Sequence, residues 1–266
     1  MGSTVHQTAI KHCSIRKYKS KELSQEHLQL LREAGLRTSS AGNMQSWSVI
    51  ESTQKEIKEK LYKAHRKQQM ILDAPMVMTF CADFNRMKKW LKLSKAKQSF
   101  DDLLGFLTGQ IDACLVAQNI ALCAESLGLG ICYMGTTLWA MEEISNTLEL
   151  PQYVIPVTSL VIGHPNESPK PKPRLAITTL FHQEKYRELS DLDIKKEFHE
   201  FENDLEKRIQ SNSVLNNHRK THQLKSAAAH YTAPYKYSKE LHSKVSKDIV
   251  NFLNKQGFLE SIDIKI

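Results

Sequence analysis

Apolar residues recur along the chain at two spacings, one typical of buried strands and the other of helices. Mostly apolar stretches over 76–82 and 157–162 predict two β-strands that are buried on both faces. Residues 47–51 predict a third strand, and 131–135 predict a short strand or turn. The pattern therefore indicates a sheet whose middle strands are covered on both sides.

Helices are predicted between and after these strands. Ser24 is placed to cap a helix in which Leu28 and Leu31 share one face, and Gly35 comes near its end. Further helical spacing covers 54–66, 141–148, 194–209 and 239–255. Charged, aromatic and lysine-rich pieces alternate over about 84–106, where we expect a helical excursion or lid.

The strongest helix signal covers 110–127. Apolar side chains lie on nearly all sides of this helix, and Gly128 and Gly130 end it. A helix without a polar face must be buried, either inside a large domain or against a second subunit. Both placements are compatible with the sequence.

Composition narrows the class of protein. The 266 residues are 41% hydrophobic and 25% charged, which is ordinary for a globular domain with a sizeable core. No apolar run approaches the ~20 residues of a membrane span, and the first residues lack the apolar segment of a signal peptide. We expect a cytoplasmic protein that does not enter a membrane.

Cysteine and histidine spacing argues against a disulfide framework or a metal site. The 5 cysteines form no CxxC pair and mostly have apolar neighbours, as reduced buried thiols do. The 11 histidines are scattered and show no HExxH or similar spacing. No metal ligand is therefore predicted.

The net charge of +8 has two possible readings. Basic residues alternate with acids along the chain and show no aromatic-basic motif, so no nucleic-acid partner is expected. Local excesses of cations over 170–174 and 218–225 suit a phosphorylated cofactor instead.

Candidate ligand-binding chemistry begins near the N-terminus. His12, Ser14 and Arg16 alternate, so in an extended or turn conformation their side chains point to one side. An imidazole, a hydroxyl and a guanidinium on one side suit an anionic ligand that accepts hydrogen bonds. The alternative is a basic loop with one capping serine.

Two further segments suit a bound ligand. Residues 38–45 form a loop of small polar residues whose backbone a planar ligand can approach closely, although a plain surface loop fits the same pattern. Residues 165–174 alternate proline with cations, which favours a stiff arm that fixes where its charges point. The alternative for this arm is a solvated linker between domains.

Taken in order, these motifs resemble the nitroreductase superfamily, in particular its larger branch of NADPH-dependent flavin reductases and oxygen-insensitive nitroreductases. The opening His12, Cys13, Ser14, Ile15 and Arg16 is similar to the H-R-S-I-R of that branch. Further similar motifs occur at 38–40 with Gln45, 80–86, 117–119, 124–130, 172–174 and 254–258. The resemblance covers nearly the whole chain.

The resemblance implies an α+β fold of three layers, with a mostly antiparallel central sheet flanked by helices. It implies a single FMN-binding domain over 1–266, in which a C-terminal extension over about 190–266 wraps the core or the partner subunit. It also implies a homodimer with FMN near the subunit interface, where the long helix at 110–127 would be buried.

By the same resemblance, one set of residues binds the phosphate end of FMN. His12, Ser14 and Arg16 would line the phosphate and the ribityl chain, and Lys172 and Arg174 would complete the cation cluster on the phosphate. Arginine suits this role because its guanidinium grips an anion with two hydrogen bonds.

A second set, again by resemblance, meets the flavin ring. Ser40 and Gln68 would hydrogen-bond the flavin, and Ser39 and Gln45 lie in the same loop as Ser40. Backbone and packing contacts along the isoalloxazine would come from Tyr133, Met134 and Gly135. No catalytic residue is assigned, because the cofactor carries the chemistry.

The implied activity is that of an FMN-dependent NAD(P)H oxidoreductase. A nicotinamide dinucleotide, NADPH or NADH, would pass a hydride to flavin N5 and leave, and a nitroaromatic, quinone or free flavin would then accept the electrons by ping-pong kinetics. The alternative is an FMN-binding or storage protein with little reductase turnover. The sequence does not identify the physiological acceptor.

Several positions depart from the family pattern. Cys13 replaces an arginine of the opening motif, and Thr136 stands where glycine is common. Thr137 and Trp139 also differ, so they are candidates for restricting the substrate pocket. Five basic residues are candidates for selecting NADPH over NADH, and the sequence does not single out one of them. They are Arg208, Arg219, Lys220, Lys225 and Lys239.

Overall fold

The two long apolar stretches form neighbouring strands at the centre of an antiparallel sheet. The computed structural model, which describes residues 3–260, contains the strands β1 (Trp47–Ser52), β2 (Met76–Asp83), β3 (Gly130–Met134) and β4 (Val154–Gly163). Their order is β1-β2-β4-β3, and each neighbouring pair is antiparallel. All four predicted strands are confirmed.

The register of the central pair places its side chains in two cores. Thr79 pairs with Ser159 in β4, and a bulge follows between Phe80 and Cys81. Strand alternation sends Met78 and Phe80 into one hydrophobic core and Val77 into the other. Because β2 is buried at every position, both faces of the sheet need covering helices.

Helices supply that cover, and loops connect them to the strands. They are α1 (Thr4–Ile10), α2 (Gln25–Leu36), α3 (Lys55–Ala64), α4 (Met70–Asp73), α5 (Asn85–Leu93), α6 (Leu103–Ser126), α7 (Met141–Thr147), α8 (Ile177–Leu180), α9 (Asp191–Ser211), α10 (Ser213–Thr221) and α11 (Lys239–Lys255). Ser24 caps α2 by accepting the backbone N–H of His27, as predicted.

Two helical layers enclose the sheet. On one face, Leu31 of α2, Val116 of α6 and Phe252 of α11 join the larger core. On the other face, Leu61 of α3 and Ile144 of α7 join the second core. The predicted α+β arrangement of three layers is therefore confirmed.

The long helix α6 is longer and less buried than its sequence predicts. It begins at Leu103, where Asp102 caps it by accepting the backbone N–H of Gly105 at 2.7 Å. One face is buried on the sheet, whereas the opposite face leaves Leu104 70% and Ile111 61% exposed. Within one chain the helix is thus buried on one side only.

The same helix meets the length and hydropathy expected of a membrane span. It is the one such helix in the part of the chain that the structure describes, and 44% of its most apolar window is buried inside the protein. Asp112 lies in its middle with a buried carboxylate. These features are those of a core helix, which passes the same test.

The chain divides into two units. The first comprises the residues up to Lys170 together with those from Lys247 onward, and it contains the whole sheet. The second, Pro171–Ser246, contains α8, α9, α10 and the first turns of α11. Its small core includes Leu205 and Ile209 of α9, and Arg219 of α10 pairs with Glu206 of α9 at 2.5 Å.

Candidate functional site

The opening motif runs beside β3. The backbone N–H of Ile15 donates to the backbone oxygen of Ile131 at 2.8 Å, and Ile15 is buried. Gly130 makes this approach possible, since a Cβ at that position would lie 2.8 Å from the Ile15 side chain. With Ile15 inside, its neighbours Ser14 and Arg16 lie on the outer side, Ser14 half-buried and Arg16 exposed.

Two carboxylates anchor this segment. His12 Nδ1 lies 2.7 Å from Oε1 of Glu125 at the end of α6, so Nε2 is the ring nitrogen left to meet a ligand. The backbone N–H groups of Arg16 and Lys17 donate to Oε1 of Glu167 at 2.5 and 3.1 Å. The segment is therefore fixed at both ends through its backbone and its imidazole.

The turn after β3 leaves its backbone open. Met134 is buried, and its carbonyl oxygen accepts a hydrogen bond from Thr137 Oγ1 at 2.8 Å. Gly135 is exposed, and a Cβ built there would have no neighbouring heavy atom within 4 Å. A planar group can therefore lie against this backbone. Beside it, the half-buried Tyr133 donates its hydroxyl to Gln118 of α6.

Gln68 lies next to this turn. Its Nε2 donates to the backbone oxygen of His65 at 3.2 Å and to Oγ1 of Thr136 at 3.1 Å. Oγ1 of Thr136 also lies 2.8 Å from Nδ1 of His65. His65 is fully buried, and desolvation lowers the pKa of its imidazole to about 4.

The small polar loop is held by an acid of the long helix. Asp112 of α6 accepts hydrogen bonds from Oγ of Ser40 at 2.6 Å, from the backbone of Ala41 at 3.0 Å and from Oγ of Ser46 at 2.7 Å. Ser40 Oγ in turn accepts the backbone N–H of Gln45. Ser39 and Gln45 are exposed, so their side chains are available to a ligand.

The motif at 80–86 fixes the end of this loop. Asp83 Oδ2 lies 2.5 Å from NH1 of Arg86, and NH2 of Arg86 donates to the backbone oxygens of Gln45 and Trp47 at 3.0 and 2.7 Å. Ser48 completes the network by donating to Asp83. The motif thus shapes the loop without itself lying in it.

Lys172 and Arg174 belong to the second unit, where both are exposed. Burial, and then the charges of Arg208 and Lys172, lower the pKa of the Lys236 ammonium in that unit. Those two cations therefore lie near Lys236. That ammonium also lies 3.7 Å from the ring centre of Tyr231. Lys172 is thus part of a larger cationic group with Lys236 and Arg208.

Within the first unit, hydrogen bonds join the opening motif to Ile131 of β3, and they join Gln68 to Thr136 in the turn that follows β3. Sequence reasoning missed His65, Glu125 and Asp112 as partners of these residues. An acid in the middle of an apolar helix signals a buried polar role, so Asp112 was recognisable in principle. His65 and Glu125 carried no such signal.

Neither a metal centre nor a disulfide forms among residues 3–260. No group of histidine, cysteine or acidic side chains there is able to hold an ion, and the cysteines are free. Burial raises the pKa of the Cys81 thiol, which keeps it protonated and unreactive.

A sequence model of the Nitroreductase family matches residues 10–164, more than half of the chain. The chain belongs to the nitroreductase family. An NADPH-dependent oxidoreductase of Staphylococcus saprophyticus is 36% identical to it over 201 residues, which are 74% of this chain and 79% of the relative.

Solved structures agree with this membership. NfrA2 of B. megaterium is 30% identical, with a TM-score of 0.81 over 97% of this chain and 99% of that protein. The NADPH:FMN oxidoreductase from Vibrio harveyi, solved in complex with NAD+, is 25% identical, with a TM-score of 0.75 over 97% and 100% of the two chains.

Family membership fixes the class of chemistry. The family is FMN-dependent, and this member is an NAD(P)H oxidoreductase with FMN as its cofactor. The open backbone at Gly135 and the nearby amide of Gln68, whose oxygen is left to accept, fit such a planar, hydrogen-bonding group.

Proposed function

We propose that this protein reduces nitroaromatics, quinones or free flavins with electrons from NADPH or NADH, one substrate leaving before the next binds. When bound, FMN would supply the hydride-transfer chemistry through its N5. The protein supplies orientation and charge. The open backbone at Gly135, next to Thr136 and its hydrogen bond from Gln68, is the observation that supports this proposal most directly.

We assign the two ends of the cofactor to different groups. Arg16, Ser14 and Nε2 of His12 would hold the phosphate and ribityl chain, and the assignment of Lys172 and Arg174 to the phosphate rests on the family resemblance. An exposed cation beside a phosphate is worth roughly 4 kcal/mol at an effective dielectric of about 20, before desolvation. The cations therefore supply much of the binding, since phosphate carries nearly two charges.

The ring end relies on backbone contacts and amide hydrogen bonds. Tyr133, Met134 and Gly135 would lie along the isoalloxazine, with Gln68 at its edge. Ser39, Ser40 and Gln45 would meet the ring through the loop that Asp112 holds. The hydroxyl hydrogen of Ser40 is already donated to Asp112, so Ser40 would meet the flavin as an acceptor.

We further propose a homodimer. The exposed face of α6 carries Leu104, Leu107, Ile111 and Leu115 at helical spacing, which leaves an apolar stripe in water within one chain. A second copy that covers this stripe would bury the helix all round, as its sequence leads one to expect. We place the enzyme in the cytoplasm.

Anaerobic reduction tests the proposed activity. Purified full-length protein should carry visible flavin absorbance that bleaches on addition of NADPH or NADH, and an added quinone or nitroaromatic should restore the colour. Steady-state rates at several acceptor concentrations should give parallel double-reciprocal lines. A yellow protein that neither nucleotide bleaches would support FMN storage instead.

A further inference from the structure

Gln68 has one hydrogen-bonding orientation in this structure. Its side-chain amide faces both the backbone oxygen of His65 and Oγ1 of Thr136. A carbonyl oxygen only accepts hydrogen bonds, so the atom that faces it must be the amide nitrogen. Both N–H groups of Nε2 are then engaged, and Oε1 is the atom left for a ligand.

His65 and Thr136 lock this orientation. Thr136 Oγ1 accepts from Gln68 at 3.1 Å and shares a second hydrogen bond with Nδ1 of His65 at 2.8 Å. The buried imidazole is neutral at pH 7, because desolvation holds its pKa near 4. Two hydrogen bonds therefore hold Oγ1 of Thr136 in place to accept from Gln68.

The backbone holds the same arrangement. Arg66 and Lys67 both adopt left-handed φ angles, 56° and 57°, which turn the chain back so that Gln68 reaches His65. The guanidinium of Arg66 lies 4.2 Å from the ring centre of Trp139, in the turn that contains Thr136. The loop and the turn are thus joined at two places beside the open backbone of Gly135.

We propose that His65 and Thr136 are positioning residues that aim Oε1 of Gln68 at N3–H of the flavin. The inference rests on the proposed function, in which FMN binds at Gly135. N3–H is the one N–H donor of the oxidised ring, whereas N1, N5 and both carbonyl oxygens accept. An amide locked with its oxygen outward therefore selects the N3 edge and sets which way the ring lies.

Binding of FMN and of 3-methyl-FMN, which lacks the N3–H, tests this assignment. Flavin fluorescence quenching on full-length protein freed of cofactor gives the ratio of the two dissociation constants. Gln68→Leu has no side-chain oxygen to accept from N3–H. Its ratio is therefore the baseline, which reflects only the bulk of the methyl group. The wild-type preference for FMN should exceed this baseline about fivefold, the value of one net hydrogen bond.

Thr136→Val keeps the side-chain shape but removes the hydroxyl, so its ratio should fall to the Gln68→Leu baseline. Thr136→Ser should restore the wild-type ratio, and Thr147→Ala, a similarly half-buried threonine outside the site, should leave it unchanged. A wild-type ratio equal to the baseline, or a full preference in Thr136→Val, overturns the inference. Failure of the wild type to bind FMN at all overturns the proposed function instead.

Discussion

Oδ2 of Asp112 lies 2.6 Å from Oγ of Ser40, so an acid in the middle of the apolar helix α6 holds the loop at 40–46. The same carboxylate accepts from Ala41 and Ser46, and these bonds satisfy a charge that is buried within the protein. The small polar loop is therefore held in its shape by this side chain, together with the hydrogen bonds of Arg86 at its end.

Replacing that acid should weaken the fold. Asp112→Asn keeps one acceptor oxygen but turns the other into a donor that faces hydroxyl and backbone N–H groups. We expect the free energy of unfolding to fall by about 2–3 kcal/mol, the value of hydrogen bonds to a charged group. Urea denaturation measures it, with Asp191→Asn on the surface of α9 as the control. A loss as small as that of the control would contradict this role.

Burial of His65 should make stability depend on pH. Its folded pKa of about 4 is below the ordinary 6.5. Between these two pH values the imidazole binds a proton in the unfolded chain but not in the native state. This contribution is full above pH 6.5 and is lost as the pH falls toward 4. Between pH 7 and pH 5 it amounts to about 2 kcal/mol.

The pH dependence is measured as a difference from His65→Asn, which keeps a polar atom near the place of Nδ1. Urea denaturation at pH 7 and pH 5 gives the pH dependence of the unfolding free energy for each protein. The titration of the other groups cancels in the difference between the two proteins. The wild type should lose about 2 kcal/mol more than the variant. Equal losses would show that His65 titrates normally in the folded protein.

Removing the two arginines assigned to the phosphate should release the cofactor. Arg16→Ala with Arg174→Ala removes two exposed cations, and we expect the FMN dissociation constant to rise at least about a hundredfold. Fluorescence titration measures it, and circular dichroism should show an unchanged fold. Arg187→Ala, another exposed arginine, should bind FMN normally. A double variant that stays yellow through dialysis would place the phosphate elsewhere.

Charges on the exposed face of α6 should separate the subunits. Ile111→Glu with Leu115→Glu puts two carboxylates where the proposed interface is apolar, and desolvating them opposes association. Light scattering should give about twice the 30.5 kDa chain mass for the wild type and a single chain for the variant. Leu93→Glu, on an even more exposed leucine of α5, should remain a dimer.

We take Arg208 as the first candidate for NADPH selection to test. Its charge acts on Lys236 together with that of Lys172, whereas Arg219 is paired with Glu206. Arg208→Ala should lower kcat/KM for NADPH about tenfold and leave the value for NADH unchanged, as loss of one charge-assisted hydrogen bond predicts. A parallel loss with both nucleotides would indicate a role other than 2′-phosphate recognition.

The elements of this fold were largely predictable because their signals are local. Strand β2 and helix α11 show their periodicity within a few residues, and Ser24 marks the start of α2 by itself. Helices α1, α4, α8 and α10 were missed because each is short and lacks a repeated apolar face. The start of α6 was placed too late because its first turns contain Gly105 and Gly109, and glycine is a poor helix former.

The sequence by itself determined the strands, the long apolar helix and, through its ordered motifs, the family and its cofactor. Only the tertiary structure decided which groups meet: Ser40 and Asp112 are 72 residues apart, and Gln68 and Thr136 are 68 apart. Hydrogen-bond geometry across such distances depends on how the chain returns through the sheet. No spacing within the sequence predicts this geometry, so the orientation of the Gln68 amide could be determined only from the folded structure.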